Sequence, residues 1–455
     1  MRLFLLLAAA VLATPALART TEQVLDNGMK VVVREDHRAP VVVSQIWYAV
    51  GSSYEPGGIT GVSHVLEHMM FKGTETLAPN EFSRLISAAG GEENAFTGND
   101  YTAYFETLSA DQLDLALRLE ADRMRGMKLD PAELKKELEV VKEERRLRTD
   151  DSPNSRLYEQ FNAVAFQAHP YRNPVIGWMA DLDALTHDDV RDWHQRWYHP
   201  NHATLVVVGD VQPDAVFALA RKHFGPIPAG PEATPKPGTE PPQQGQRRLE
   251  LHVPAQVPYL LMGWKVPSLT AQTRSAEPYA LEVLAGILAG GESARLPSRL
   301  RRGAEVAVQA DAGYSLYSRA DGLFLIDGVP APGHDLAALE AAVLAQVKEL
   351  HDTEVSAAEL ERVKAQVVAG EVFQRDSMFY QAMRVGLLEA VGLHWQVADD
   401  YVARVQAVTA QDVQAAARKY LVPDGLTVGV LRPQEGAPPP PPPRPAPAHH
   451  HGGEG

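Results

Sequence analysis

The chain repeats part of its own sequence at a fixed offset of 223 residues, and this repeat limits the folds open to it. In each copy, a segment typical of a capped helix precedes a proline turn and an apolar run typical of a strand. The matched pairs include Thr186 and Thr409, Asp189 and Asp412, Pro200 and Pro423, and Thr204 and Thr427. Short matches of this kind also arise by chance, but the shared order of elements favours a duplicated unit.

A segment rich in proline and glycine, residues 229–246, separates the two copies and is expected to be a linker. The expected halves are then residues 19–228 and 247–432. Beyond them, residues 433–455 contain six consecutive prolines and the run His449–His451. We expect an extended, solvated tail there, although three adjacent histidines also bind metal weakly.

Strands and helices follow each other in runs within the first half. Patterns typical of strands cover 29–35 and 41–50, and helical patterns cover 79–89, 110–124 and 131–148. Runs of this kind, without strict alternation, predict the α+β class. The expected architecture is therefore two homologous α/β-layer domains joined by the linker.

Charge and cysteine content exclude several functions. The 455 residues include 43 Lys and Arg against 58 Asp and Glu, a net charge of −15. An acidic surface repels phosphate backbones, so nucleic-acid binding is not expected. There is no cysteine, which excludes disulfides, thiolate zinc fingers and cysteine catalysis. Any metal must therefore be held by His, Asp or Glu.

The first 18 residues have the pattern of a secretory signal peptide. Arg2 supplies a positive charge, 3–13 is apolar, and Ala16–Ala18 fits a cleavage site. The alternative is a membrane anchor, but the apolar run is shorter than the roughly 20 residues that a spanning helix needs. We therefore expect an exported protein, periplasmic or secreted, without a membrane span.

One motif has the pattern of a metal-binding site. His64-Val65-Leu66-Glu67-His68 places two histidines one helical turn apart, so both imidazoles can reach one ion. Glu67 shares that face, and a carboxylate beside a metal-activated water can take its proton. The motif is the inverted form, HxxEH, of the HExxH zinc motif. The alternative is a pair of core histidines beside an acid.

A further helical pattern offers carboxylates for the same ion. Glu137 and Glu144 lie on or beside the apolar stripe of 131–148, where a carboxylate needs a compensating cation. A bound Zn²⁺ would supply that charge. Ion pairing with Arg145, Arg146 or Arg148 is the alternative, and the residues alone do not separate the two.

The sequence around the motif closely resembles the pitrilysin-type (M16, insulinase-like) inverzincin metallopeptidases. It is most similar to their half-length class, which includes the mitochondrial processing peptidase β subunit. The similar segments are Leu25–Gly28, Gly51–Glu55, Gly61–Thr74, Gly90–Thr97, Glu137–Glu144 and His169–Gly177. The resemblance implies a zinc endopeptidase with one Zn²⁺ per chain.

The same resemblance implies roles for residues outside the motif. Glu144 would be the third metal ligand and Glu137 a supporting acid. Asn94 and Ala95, which alone indicate only a turn before a strand, would bind an extended peptide at an edge strand.

The second half lacks the HxxEH motif, and its resemblance is weaker. Arg301 matches the arginine of the family's substrate-binding Arg/Tyr pair, whereas Val308 stands where the tyrosine belongs. Tyr314 and Tyr317 are candidate substitutes, and Arg301 alone also fits an ordinary surface charge. The resemblance implies a homodimer, or a heterodimer with a metal-free subunit that supplies the pair.

Two principal functions follow. The first is zinc-dependent hydrolysis of short or unfolded peptides, with Glu67 as base and His64, His68 and Glu144 as ligands. The alternative is a non-catalytic peptide-binding or scaffold subunit of a two-chain peptidase. Zinc scavenging by the histidine tail is a third possibility. A His₂Glu set favours zinc over other divalent ions.

Overall fold

The computed structural model describes residues 19–232, 238–273 and 275–434. The expected signal peptide, residues 233–237 of the linker, and residues 435–455 of the tail lie outside the described residues. In the described part, no helix is both long and apolar enough to cross a bilayer.

The first half is built on a six-stranded sheet with the order β1-β2-β6-β3-β5-β4. Only the β2–β6 pair is parallel. The strands are β1 Thr20–Val24, β2 Lys30–Glu35, β3 Val41–Tyr48, β4 Glu92–Thr97, β5 Thr102–Ser109 and β6 Ala203–Gly209. The helices are α1 Val62–Met69, α2 Glu81–Ala88, α3 Leu113–Gly126, α4 Pro131–Arg145, α5 Pro153–Ala165, α6 Met179–Ala184, α7 His187–Trp197 and α8 Pro213–His223.

The second half is built on a five-stranded sheet with the order β7-β11-β8-β10-β9, in which only β7–β11 is parallel. Its strands are β7 Arg247–Pro254, β8 Tyr259–Val266, β9 Ala307–Tyr314, β10 Gly322–Pro330 and β11 Leu426–Gln434. Its helices are α9 Glu277–Ala289, α10 Leu336–Asp352, α11 Ala357–Asp376, α12 Met378–Ala390, α13 Val397–Ala407 and α14 Ala410–Tyr420.

The repeat corresponds to equivalent elements in the two sheets. Thr186 and Thr409 form capping boxes with Asp189 and Asp412 at the starts of α7 and α14. Each helix leads through a proline turn into a central strand, β6 or β11. Without β1, the two sheets also have the same strand order. The predicted α+β fold with two similar halves is confirmed.

Each half places one helix on the sheet of the other half. Helix α5 contributes Leu157 and Phe161 to a cluster with Leu261 and Leu431 of the second sheet. In exchange, α12 packs against Val206 and Val208 of the first sheet through Ala382 and Val385. The approach is close, because a Cβ added to Gly386 of α12 would lie 2.0 Å from Trp47 Nε1. Burial of apolar surface therefore joins the halves.

The linker region is anchored to both halves by Glu240. Its carboxylate accepts backbone N–H bonds from Gln167, Ala168 and His169 at 2.8–3.0 Å, and it pairs with Lys265 at 2.7 Å. Partial burial opposes the charged form, but these donors outweigh it and lower the pKa of Glu240 to about 2. The Pro/Gly composition predicted a linker, but it gave no sign of this anchor.

We predict that Glu240→Gln lowers the free energy of unfolding at pH 7 by about 1–3 kcal/mol, because charge-assisted hydrogen bonds are lost. The folded-state pKa lies below the ordinary value of 4.5. The Glu240 contribution is therefore present above pH 4.5 and disappears as the pH falls towards 2. Denaturant titrations from pH 2 to 7 measure it, with exposed Glu232→Gln as the control. Equal stability of Glu240→Gln and wild type at pH 7 would contradict the assignment.

Candidate metal centre

Helix α1 is held in the core by contacts at its N-terminus. Gly61, at φ 87°, precedes the helix, and its N–H and that of Ser63 donate to the buried Glu55 carboxylate at 2.7 and 2.8 Å. A Cβ on Gly61 would lie 2.6 Å from the Ile176 carbonyl oxygen, so only glycine fits there. These contacts fix the position of the helix and of the histidines on it.

Two histidines and a glutamate converge at the exposed end of this arrangement. Glu144 Oε2 lies 3.8 Å from His64 Nε2 and 3.4 Å from His68 Nε2. Ligands at about 2.0–2.1 Å in a tetrahedral zinc site lie roughly 3.3 Å from one another. The three donor atoms are all within 4.8 Å of each other, and two imidazoles with one carboxylate form a common catalytic zinc set. The residues present therefore fit Zn²⁺.

Glu137 supports one of these histidines from the side away from the convergence point. Its Oε2 lies 3.2 Å from His68 Nδ1, and its Oε1 accepts from Lys72 at 2.6 Å. A carboxylate on the second ring nitrogen fixes the orientation of a ligating histidine. Lys72, four residues after His68, completes this chain of contacts. The local sequence around Lys72 gives no sign of this contact.

Glu144 is oriented by Arg148. The Arg148 guanidinium donates to Glu144 Oε1 at 2.8 Å, which leaves Oε2 for the histidines. Both residues belong to the predicted 131–148 helix, but the structure divides it: α4 ends at Arg145 and a wider π-turn covers Arg146–Asp150. Such turns occur frequently at functional sites. Glu144 therefore forms an ion pair with Arg148 and also lies close to both histidines. The two alternatives expected for Glu144 occur together.

Glu67 is buried beside the donors, with only 8% of its surface exposed. The Thr97 hydroxyl, at the end of β4, donates to Glu67 Oε2. Burial raises the pKa of Glu67 to about 7, and the Thr97 hydrogen bond opposes this shift. Nothing in the sequence around Thr97 indicated this contact.

The surrounding charges favour a cation. Burial lowers the pKa of His64 to about 4, with a contribution from His68. Burial also disfavours the charged form of His68, but Glu137 and Glu144 outweigh it and raise its pKa to about 9. Burial opposes ionisation of Glu144 too, yet the His68 hydrogen bond and nearby positive groups lower its pKa to about 2. The carboxylates thus stabilise positive charge where the donors meet.

The predicted peptide-binding residues lie on the last strand of the first sheet. Asn94 and Ala95 are in β4, which pairs with β5 on one side and is the edge strand of its sheet. Helix α1 packs against β4, so this edge runs beside the candidate metal centre.

Arg301 is elsewhere in the described structure. It pairs with Glu292 of the second half, and no contact joins it to the first half within the residues described. Val308 is 49% exposed on β9. Tyr314 donates to the Pro267 carbonyl at 2.6 Å, and the Tyr317 hydroxyl is buried. In the part of the chain that the structure describes, neither Arg301 nor Tyr314 nor Tyr317 contacts the metal centre.

Two family models match the chain in succession. The model described as insulinase (peptidase family M16) matches residues 30–178, and the one described as the peptidase M16 inactive domain matches 184–367. Zinc protease PqqE of Helicobacter pylori is 34% identical over 366 residues, which cover 80% of this chain and 81% of that protein. The chain belongs to peptidase family M16. The family resemblance of the sequence is therefore confirmed.

Further relatives and solved structures match most of this chain. An uncharacterized zinc protease of Mycobacterium leprae is 30% identical over 89% of each chain. A protease structure from Helicobacter pylori has a TM-score of 0.86 and 31% identity, and the match covers 92% of this chain and all of that one. The periplasmic protease PqqL of Escherichia coli, at 19% identity, shows the fold alone, with a TM-score of 0.77 over 92% of this chain and 48% of that one.

We predict that Glu137→Gln weakens zinc binding about 10- to 100-fold, because His68 loses the carboxylate that orients it. Competition with a chromophoric chelator measures the dissociation constant without any need for activity. Glu133→Gln is the matched control one turn earlier on the same helix, since the Glu133 carboxylate pairs with Lys136 at 2.7 Å and not with a histidine. Equal affinities of the two variants would contradict a supporting role for Glu137.

Proposed function

We propose that the protein is a zinc-dependent endopeptidase that hydrolyses short or unfolded peptides. The observation that carries the proposal is the buried Glu67 carboxylate on the same helix as two histidines that converge with Glu144. A hydrolytic site needs this combination of cation ligands and an adjacent base. Relatives named as zinc proteases support the assignment.

In this proposal His64, His68 and Glu144 hold one Zn²⁺. When bound, zinc lowers the pKa of water and polarises a carbonyl group. Glu67 takes a proton from the attacking water and later delivers it to the nitrogen of the leaving amine, while the C–N bond breaks and a C–O bond forms. Thr97 holds the Glu67 carboxylate through Oε2, which leaves Oε1 for the proton. Glu137 and Lys72 keep His68 oriented.

The substrate in this proposal binds as an additional strand at the β4 edge, with Asn94 and Ala95 beside it. Helix α1 lies between β4 and α4. Substrate side chains that point towards the helices would therefore reach the exposed face of α4. Val140 on α4 and Leu147 on the π-turn that follows it are 49% and 47% exposed, on either side of Glu144. They are the two apolar residues of an open groove of about 470 Å³, which is otherwise lined by Glu139, Glu143, Glu144 and Arg148. We therefore expect an apolar substrate residue next to the cleaved bond.

A partner subunit is part of the proposal, as is export to the periplasm or beyond. Arg301 pairs with Glu292 and Val308 lacks a phenol, so a metal-free homologous subunit would have to supply the Arg/Tyr pair. In a homodimer, Tyr314 or Tyr317 would have to replace the tyrosine. The same observation favours the second candidate function, a non-catalytic peptide-binding subunit. The residues 1–18 and a neighbour titled a periplasmic protease support the location.

We predict that the mature chain cleaves a quenched fluorescent peptide library and that Glu67→Gln lowers the rate about 10²- to 10⁴-fold while zinc content stays near one per chain. Glu361→Gln, which removes an exposed carboxylate of the second half, is the control. Positional analysis of the cleaved peptides measures the expected apolar preference.

The remaining outcomes separate the two candidate functions. Zinc binding without cleavage by the wild type would indicate a missing partner or a non-catalytic subunit. Equal rates for wild type and Glu67→Gln would reject Glu67 as the base. If the wild type neither binds zinc nor cleaves peptides, the peptidase proposal is wrong.

A further inference from the structure

One arginine of the metal-free half enters the half that carries the metal centre. Arg319 lies in the loop between β9 and β10, and its backbone N–H and Nε donate to Asp100 at 3.0 and 3.5 Å. Its guanidinium also donates to Ser53 Oγ at 2.8 Å and lies 4.1 Å from the ring centre of Tyr54. Asp100 is 3% exposed, so this is a buried ion pair between the halves.

Asp100 belongs to the turn that connects β4 to β5. The segment before α1 holds this turn, because Ser52 N–H donates to the Gly98 carbonyl and Ser53 N–H to the Asn99 carbonyl at 3.2 and 2.7 Å. The residue just before the turn is Thr97, whose hydroxyl holds Glu67. Asp100 is three residues after Thr97. A change in the position of Asp100 would therefore be passed through Thr97 to Glu67, the proposed base.

The other contacts of Arg319 lead to the start of α1. Ser53 and Tyr54 directly precede Glu55, whose carboxylate accepts from the first N–H groups around that helix. Tyr171 adds a further link, since its hydroxyl donates to Asp100 at 2.5 Å and accepts from Ala320 N–H at 3.3 Å. The arginine thus contacts both segments that position Glu67, the turn after β4 and the segment before α1.

We infer that Arg319 is a positioning residue through which the metal-free half holds Glu67 and the β4 edge in their working geometry. The inference rests on the proposed function for its kinetic part, and its structural part stands on the contacts above. Removing the guanidinium leaves the buried Asp100 carboxylate with hydroxyl donors and no cation. The turn after β4 and the segment before α1 then lose their common anchor, and small displacements at a catalytic group cost large factors in rate.

The kinetic test compares Arg319→Ala and Arg319→Lys with Arg248→Ala, which breaks an ion pair to Glu340 elsewhere in the second half. For zinc-loaded, folded protein, we expect Arg319→Ala to lower kcat about 10- to 100-fold. Zinc content should be unchanged, Arg319→Lys should recover part of kcat, and Arg248→Ala should match the wild type. A merely structural role would lower Tm and the folded fraction but leave kcat per bound zinc unchanged, and that result would overturn the inference.

A second measurement does not depend on activity. Hydrogen exchange followed by mass spectrometry should show faster exchange in peptides covering 92–101 and 52–63 of Arg319→Ala, and wild-type exchange there in Arg248→Ala. Arg319→Ala combined with Asp100→Asn should have less than the summed effect of the two single substitutions, because both remove the Arg319–Asp100 ion pair. Unchanged exchange in both segments would overturn the inference even if the wild type proves inactive on peptides. If the wild type is inactive on peptides, unchanged exchange in Arg319→Ala would reject both proposals. Altered exchange together with an inactive wild type would reject only the peptidase assignment.

Discussion

Helix α1 lies inside the hydrophobic core of the first half, yet three of its eight residues are ionisable. Val65, Leu66 and Met69 are fully buried, so the helix cannot turn its polar face to solvent. Buried charge is costly unless it is paired. The surrounding elements supply the pairs: Glu55 precedes the helix, Thr97 comes from β4, and two glutamates come from α4. Because these groups balance the buried charges of one helix, their side chains lie close together beside it.

The duplicated architecture explains why the metal-free half belongs to the site. Each half places one helix on the sheet of the other, α5 in one direction and α12 in the other, so neither sheet is covered by its own half alone. The second half has no ligand triad of its own corresponding to His64, His68 and Glu144 among the described residues. Its contribution to the first half includes packing by α12 and the Arg319 contacts around Asp100. One half therefore carries the candidate metal centre, and the other half supports it.

Local sequence patterns predicted several of the elements and placed His64 and His68 on one helix face, whereas long-range contacts could not be predicted. Capping residues such as Thr186 and Thr409 mark helix starts from neighbouring positions, and helical spacing places His64 and His68 on one face. The Glu144 contact needed the family resemblance, because spacing alone allowed ion pairing instead. Thr97 and Arg319 gave no local signal, since each reaches its partner through the tertiary fold. Arg301 matched a family position, but its side chain pairs with Glu292.

The most direct test of the account is a crystal structure of the zinc-loaded protein with anomalous data on both sides of the zinc absorption edge. The account predicts one strong peak per chain, bonded to His64 Nε2, His68 Nε2 and Glu144 Oε2 at about 2.0–2.2 Å. Glu22, Glu389 and His394 form a second cluster of suitable donors, but Lys30 lies among them, 2.8 Å from Glu389. A peak there and none at α1, or no ordered zinc at all, would contradict the account.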